Sequence, residues 1–284
     1  MVSQTTPAKL APSPLPYYEG KKIINKVYDF ARRVFSSPTF LTFLLTASMV
    51  TLTAFCFHMH INPVYIASSI AINTAMLGFV IITKRKYLFY ENNLLYDYFQ
   101  EKFNKNIHWY DKITENIFLG AIPIKEKDHV KALKKEKINS VLTILEDFEI
   151  YRQTILTTPI TPNQWKESKV KQKIISAKDA HPLSIDQIEE GVKFLIDEVK
   201  NKNRVYVHCK SGVGRSATVV ACYLMNKDRN LTVDKAIALV KTKRSNIKLW
   251  QRRKILQKYY DKIHSKNTDS SQNSIYQRFL SLVR

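Results

Sequence analysis

Nine residues, HCKSGVGRS (208–216), join an apolar strand-like run, NRVYV, to an apolar helix-like run, ATVVACYLM. A cysteine at a strand end, then glycines, then a helix start make a phosphate cradle. The amides of Lys210, Ser211, Gly212, Val213 and Gly214 can turn inward as an anion-binding nest, and the dipole of the following helix adds to their field. The same field stabilises a thiolate. Lowering the Cys209 pKa from about 8.5 to about 5.5 corresponds to about 4 kcal/mol of preferential thiolate stabilisation and leaves the sulfur ionised at neutral pH. Arg215 offers a planar fork that can hold two phosphoryl oxygens and follow them as phosphorus becomes trigonal, a match that lysine lacks. Ser216 can donate to the sulfur and ease its departure in a second step. Lys210 adds positive charge to the cradle. His208 is expected to point away from it and to orient its neighbours, not to act as an acid or base. Cys222, well inside the following helix, is expected in the core.

The nine residues match the HCxxGxxRS signature of the cysteine-dependent protein tyrosine and dual-specificity phosphatases, and the chain resembles that superfamily. From WYDKITENIFLGAIP through VYVHCKSGVGRSATVVACYLM to KTKRSNI it is most similar to the subgroup typified by the mitochondrial phosphatidylglycerophosphate phosphatase. The resemblance implies two steps. Cys209 attacks phosphorus in line while an acid protonates the leaving alcohol, and water then hydrolyses the phosphocysteine with the same residue as base. The position matching the family's acid is Asp179 in SAKDAHP, on a segment that a mobile loop could carry over the cradle. This neighbourhood is one residue shorter than the subgroup's pattern, and Asp186, in the first turn of a helix, is the reserve. The stretch LEDFE (145–149) resembles an acidic stretch at the same place in the subgroup. Glu146 and Asp147 could orient Arg215 or the substrate, with an exposed acidic turn as the alternative. No metal site and no organic cofactor is implied.

These residues need a scaffold, and the pattern from His108 onward is that of an α/β domain. NIFLGAIP (116–123), INSVLTIL (138–145), VKQKIISA (170–177) and NRVYVHC (203–209) read as strands. Between them lie a Lys-rich helix, KEKDHVKALKKEK, and a helix that Ser184 opens with Gln187 three residues on, a capping-box pattern. Arg215 to Asn226 is the helix after the cradle; Thr232 caps another, and a basic helix runs from about Leu249 to Ile263. The fold class expected is α/β, a mostly parallel central sheet flanked by helices, the dual-specificity phosphatase fold.

Two runs before this domain, 39–61 and 64–83, contain no Asp, Glu, Lys or Arg. Each is close to the roughly 20 residues that cross a bilayer core as helix, and only Asn62-Pro63 separates them, so the pair reads as a transmembrane hairpin. Lys21, Lys22, Lys26, Arg32 and Arg33 precede the first run and Lys84, Arg85 and Lys86 follow the second. By the positive-inside rule both termini and the catalytic domain face the cytoplasm. The chain therefore divides into a Pro-rich disordered stretch (1–20), the hairpin with its basic flanks (21–86), an amphipathic connector (87–107), the phosphatase domain (108–264) and a tail (265–284). In the connector Leu88, Leu95, Phe99 and Phe103 form the expected apolar face, with Tyr87, Phe89 and Tyr90 at headgroup level.

A formal net charge of +21 over 284 residues calls for an anionic partner. Residues 241–258 alone carry eight Lys or Arg and no acid. With only three cysteines, Cys56, Cys209 and Cys222, no disulfide framework forms and a reducing compartment is expected. A membrane-anchored lipid phosphatase acting on phosphatidylglycerophosphate or a phosphoinositide is the reading these features favour, and an anchored dual-specificity protein phosphatase is the alternative. A catalytically silent adaptor is disfavoured because Cys209, Arg215, Ser216 and a candidate acid are all present. A nucleic-acid partner is not expected, since a transmembrane hairpin makes little sense for an RNA 5′-phosphatase. Oligomeric state and the identity of the membrane are left unassigned.

Overall fold

The computed structural model of the chain describes residues 15–265. The expectations for residues 1–14 and for the tail beyond Ser265 lie outside them. The chain divides into two compact units, Met1–Arg85 and Lys86–Arg284.

The first unit holds helices α1 (Leu15–Ser36), α2 (Pro38–His58) and the start of α3 (Pro63–Phe103). Residues 15–20, expected to be disordered, instead open α1. The reason lies downstream, where Val27, Phe30, Ala31 and Val34 recur at helical spacing and carry the helix back toward its Pro-rich start. Helix α2 begins as its sequence asks: Ser37 caps it, accepting from the Phe40 amide at 3.2 Å, and Pro38 occupies the first turn, where its missing N–H costs nothing. Both α2 and α3 are long and apolar enough to cross a membrane, and Phe43, Val50, Phe57, Ile72, Phe79 and Ile82 stand exposed on them. Their many hydroxyls do not demand a polar partner. Thr42, Ser48, Thr53, Ser68 and Thr83 each donate back to a carbonyl of their own helix at 2.6–2.9 Å, which satisfies them without water.

The second unit is built on a five-stranded sheet. Its strands are β1 (Tyr110–Lys112), β2 (Ile117–Gly120), β3 (Ile138–Leu145), β4 (Lys171–Ser176) and β5 (Arg204–His208), in the order β1-β2-β5-β3-β4. Only the β1–β2 pair is antiparallel. The mostly parallel sheet expected from the sequence is present, with β1 an addition: three residues are too few to show an alternating pattern. Helices α4 (His129–Lys135), α5 (Asp147–Tyr151), α6 (Pro162–Glu167), α7 (Ile185–Lys200), α8 (Arg215–Lys227), α9 (Val233–Lys243) and α10 (253–265) complete the unit.

Period-2 alternation splits the strands between two cores. Ile117, Leu119, Leu142, Ile144, Val205 and Val207 face α7 and α8, while Phe118, Val141 and Tyr206 face Leu133 of α4 and Trp165 of α6. Cys222 lies in the first of these cores with no exposed surface, and burial pushes its thiol pKa up, as suits an inert structural cysteine.

A third cluster joins Tyr90 and Leu94 of α3 to Trp109, Ile122, Ile124 and Ile150. The connector therefore differs from its expectation. Residues 87–103 are the unbroken end of α3, and the side that packs is Tyr90 and Leu94, whereas Phe99 and Phe103 stay exposed. Tyr90 is buried in this cluster. Its hydroxyl donates toward the Glu149 and Arg152 carbonyls, at 3.4 and 3.3 Å, and Glu91 pairs with Arg152 at 3.2 Å. Buried polar groups that only a folded partner could satisfy decided which face turned inward.

Candidate active site

Central strand β5 ends at His208, the chain turns through Cys209–Gly214, and α8 starts at Arg215. The turn is held from outside. The Lys210 carbonyl accepts from the Ile122 amide at 2.9 Å, those of Ser211 and Gly212 from the Arg244 guanidinium at 3.1 and 3.0 Å, and that of Val213 from the Lys248 amide at 2.8 Å. With the carbonyls drawn outward, the N–H ends of these peptides are left to face the cradle. Gly212 has φ +69°, and a Cβ there would come within 2.3 Å of the Gly120 backbone, so both conformation and space require glycine.

Cys209 is buried at the floor, and its Sγ accepts from the Ser216 hydroxyl at 3.2 Å. Burial alone would raise its pKa. Arg215, the Ser216 hydroxyl and the amides of Ser216 and Gly212 outweigh that and hold the thiol below its ordinary value of 9.0. His208 faces away from the cradle. Its Nδ1 lies 3.1 Å from the Cys209 carbonyl, which only accepts, so Nδ1 carries the proton and Nε2 accepts from Thr143 Oγ1 at 2.9 Å. Burial, opposed by that backbone bond and aided by Arg215, pushes the imidazole pKa to about 4, leaving a neutral orienting ring.

Arg215 is fully enclosed. Its two terminal nitrogens donate to Glu149 at 2.6 and 3.1 Å, and Nη1 also reaches the Ala177 carbonyl at 2.8 Å. The acid that orients Arg215 is thus Glu149, and the expectation for Glu146 and Asp147 is corrected. Helix α5 starts immediately after β3 with Glu146 as its cap, so the residue three positions on is turned back under the sheet end, where it also accepts from the Glu146 amide at 2.8 Å. Glu146 instead accepts from the Asp179 amide at 2.8 Å, and Asp147 from the Ser176 hydroxyl at 3.0 Å. The capping spacing of Glu146 and Glu149 was the signal available in the sequence.

Asp179 stands over the cradle, 3.0 Å from Arg215 Nη2 and paired with Lys210 Nζ. Lys210 is itself buried and lies 4.5 Å from the Phe89 ring centre. Its charge is directed at Asp179, not offered freely to the cradle as its place in the turn suggested. Asp186 is exposed in the first turn of α7, away from this group. A cavity of about 360 Å³ opens above Cys209, and Asp179, Arg215, Lys248 and Arg252 are among its lining.

A buried thiol held toward its thiolate, inward amides and an enclosed arginine form a seat for a tetrahedral dianion beside a nucleophile, and residues 117–262 match the dual specificity phosphatase catalytic domain. The chain belongs to the dual specificity phosphatase family. It is therefore a phosphoric monoester hydrolase. This dual specificity phosphatase is 32% identical over 165 residues to the Mus musculus phosphatidylglycerophosphatase and protein-tyrosine phosphatase 1, covering 57% of this chain and 81% of that one. It is 32% identical over 174 residues to the Arabidopsis thaliana phosphatidylglycerophosphate phosphatase PTPMT2, covering 61% and 71%. It is 30% identical to Arabidopsis thaliana phosphatidylglycerophosphate phosphatase PTPMT1 and spans 45% of that protein's length. The crystal structure of PTPMT1 in complex with PI(5)P superposes with a TM-score of 0.50 at 28% identity, over 56% of this chain and 99% of that one.

In this dual specificity phosphatase the Glu149–Arg215 pair is nearly solvent-free, with side-chain exposures of 1% and 2%. Removing Glu149 leaves Arg215 with Asp179 as its one remaining carboxylate, so the cost lies at or below the low end of the about 3–5 kcal/mol of a broken buried pair. Glu149→Ala is expected to lower the thermal unfolding midpoint and kcat together, read by calorimetry and steady-state phosphate release. A variant that melts with the wild type would show that Arg215 is held by other contacts.

Proposed function

We propose that this chain is a membrane-anchored phosphatase that hydrolyses the terminal phosphate monoester of an acidic phospholipid through a phosphocysteine intermediate. The Cys209 thiolate attacks phosphorus in line, Arg215 and the amides of Lys210–Gly214 hold the equatorial oxygens, and Asp179 gives its proton to the departing alcohol. In the second step Asp179 takes a proton from water as the water attacks phosphorus, and Ser216 donates to the sulfur that leaves. His208, neutral and turned outward, holds the strand end.

The observation that carries the lipid reading is the composition of the cavity mouth. Lys248 and Arg252 line the cavity together with Arg215, and a second anionic group of a phospholipid would pair with them. Names of relatives, phosphatidylglycerophosphatase among them, and the phosphoinositide-bound structure support the same class. The two apolar helices would hold the enzyme at a membrane with both ends on the cytoplasmic side, raising its effective concentration toward lipid without new contacts. An anchored dual-specificity protein phosphatase remains the second reading, favoured by the protein-tyrosine activity in the name of the mouse relative.

The test is phosphate release by the full chain in mixed micelles, comparing phosphatidylglycerophosphate, a phosphoinositide panel and phosphopeptides. Lipid kcat/KM is expected to exceed peptide kcat/KM by at least about 100-fold, about 2.7 kcal/mol of transition-state discrimination. Peptide turnover equal to or faster than lipid turnover would replace the first reading with the second.

A further inference from the structure

The end of α3 lies outside the residues that match the family, yet it forms one wall of the cavity above Cys209. Phe89, Asn93, Asp97 and Gln100 face the cavity from this helix. Asn246, on the turn after α9, also lines the cavity. Two buried oxygens in this lining, Asp97 Oδ2 and Asn246 Oδ1, have no hydrogen-bond partner.

Their chemistry is opposite to that of the phosphate seat. The seat is made of donors and a cation, the loop amides and Arg215. A phosphate dianion supplies only acceptors, so neither of these two oxygens can bond it, and a carboxylate beside it would repel it. An acceptor buried without a donor is costly, so such a pair is matched to something that brings O–H groups. Asp97 also lies beside the cradle: burial raises its carboxyl pKa, and Ser211 and Lys210 of the phosphate turn oppose that rise.

We propose that Asp97 and Asn246 are specificity-determining residues that accept hydrogen bonds from free hydroxyls on the alcohol side of the substrate, selecting phosphate esters of polyol headgroups. This rests on the lipid reading above and narrows it. Glycerol-type and inositol-type headgroups both carry such hydroxyls close to the phosphate ester, whereas phosphotyrosine and phosphoserine side chains carry none. A site built to bond a substrate hydroxyl rejects the analogue that lacks it far more strongly than an apolar pocket rejects a missing methylene. The family domain thus supplies the phosphate chemistry, and the preceding helix reads what the phosphate is attached to.

The experiment measures kcat/KM of the full chain in mixed micelles for three lipids: phosphatidylglycerophosphate, a phosphatidylinositol monophosphate, and the deoxy analogue in which propanediol replaces glycerol in the headgroup. The wild type is expected to favour at least one hydroxylated lipid over the deoxy analogue by about 10- to 100-fold, and the better of the two identifies the headgroup. Asp97→Leu is expected to bring that ratio to within about twofold of one, Asn246→Ala to reduce it by less, and Asp97→Asn, which keeps an acceptor oxygen, to retain several-fold preference. A wild type that turns over the deoxy analogue as fast overturns the assignment while leaving the lipid reading intact. So does an Asp97→Leu enzyme that slows on all three lipids with the ratio preserved, the signature of an effect through Ser211. Phosphopeptides turned over faster than every lipid would instead remove the lipid reading, and this assignment with it.

Discussion

Cys209→Ser is expected to reduce turnover of every substrate by at least about 10⁴-fold, the scale on which loss of a nucleophile acts. The cradle stabilises a sulfur anion, and an alcohol at the same place stays protonated and is a poor nucleophile. The same electrostatics set the pH profile. Thiolate is the reactive form, so for aryl phosphates, which need no acid, kcat/KM rises with pH through the Cys209 pKa and levels off above it. Because that pKa is held below 9.0, the rise lies on the acid side of an ordinary thiol. Ser216→Ala removes one of the groups that lower it and is expected to move the rise to higher pH. The rate of alkylation of Cys209 by iodoacetamide against pH measures this directly. An alkylation profile centred on an ordinary thiol pKa would contradict the assignment, and so would a Cys209→Ser enzyme as active as the wild type.

Asp179→Asn is expected to slow hydrolysis of alkyl phosphates by about 10²–10⁴-fold and of aryl phosphates far less, since only a poor leaving group needs a proton as its bond breaks. In the free enzyme burial pushes the Asp179 carboxyl up, but Arg215 and Lys210 outweigh it and hold the group below its ordinary value of 3.8. A carboxylate so held has no proton to give. A bound phosphate dianion changes this, because it takes Arg215 from Asp179 and places a negative charge beside it, and both effects raise the carboxyl pKa. The alkyl-substrate kcat should therefore fall at high pH in the wild type as Asp179 deprotonates in the complex, and that limb should be missing from Asp179→Asn. Equal losses on alkyl and aryl substrates would assign the proton to another group.

The pairing of Asp179 with Arg215 could not be foreseen from SAKDAHP. The runs that became β2 to β5, the cap at Ser184, the turn at Asn62-Pro63 and the strand–turn–helix around Cys209 are local patterns: each depends on residues within one or two turns of each other, and each is present in the structure as read. The same holds for the apolar runs that became α2 and the first part of α3, although α3 continues past its expected end because nothing in KRKYLFYENN breaks a helix.

What only the tertiary structure decided are the partners of charged groups. Glu149 and Arg215 are 66 positions apart, and Arg244 reaches Asp111 from 133 positions away at 2.6 Å. Such pairs leave no periodicity to read. Glu149 rather than Glu146 meets Arg215 because α5 turns at the end of β3, and Tyr90 rather than Phe99 packs inward because its hydroxyl finds the α5 carbonyls. Asp97 in LLYDYFQ reads as one polar residue on a helix. It meets the cavity because it lies on the face of α3 that carries Leu94 and Tyr90, one and two turns before it, and that face packs against the domain. The sequence alone therefore determined the reaction, since a thiolate in an amide nest with an arginine is a local construction. The cavity wall that holds Asp97 and Asn246 was decided by packing, because it joins a helix and a loop about 150 residues apart.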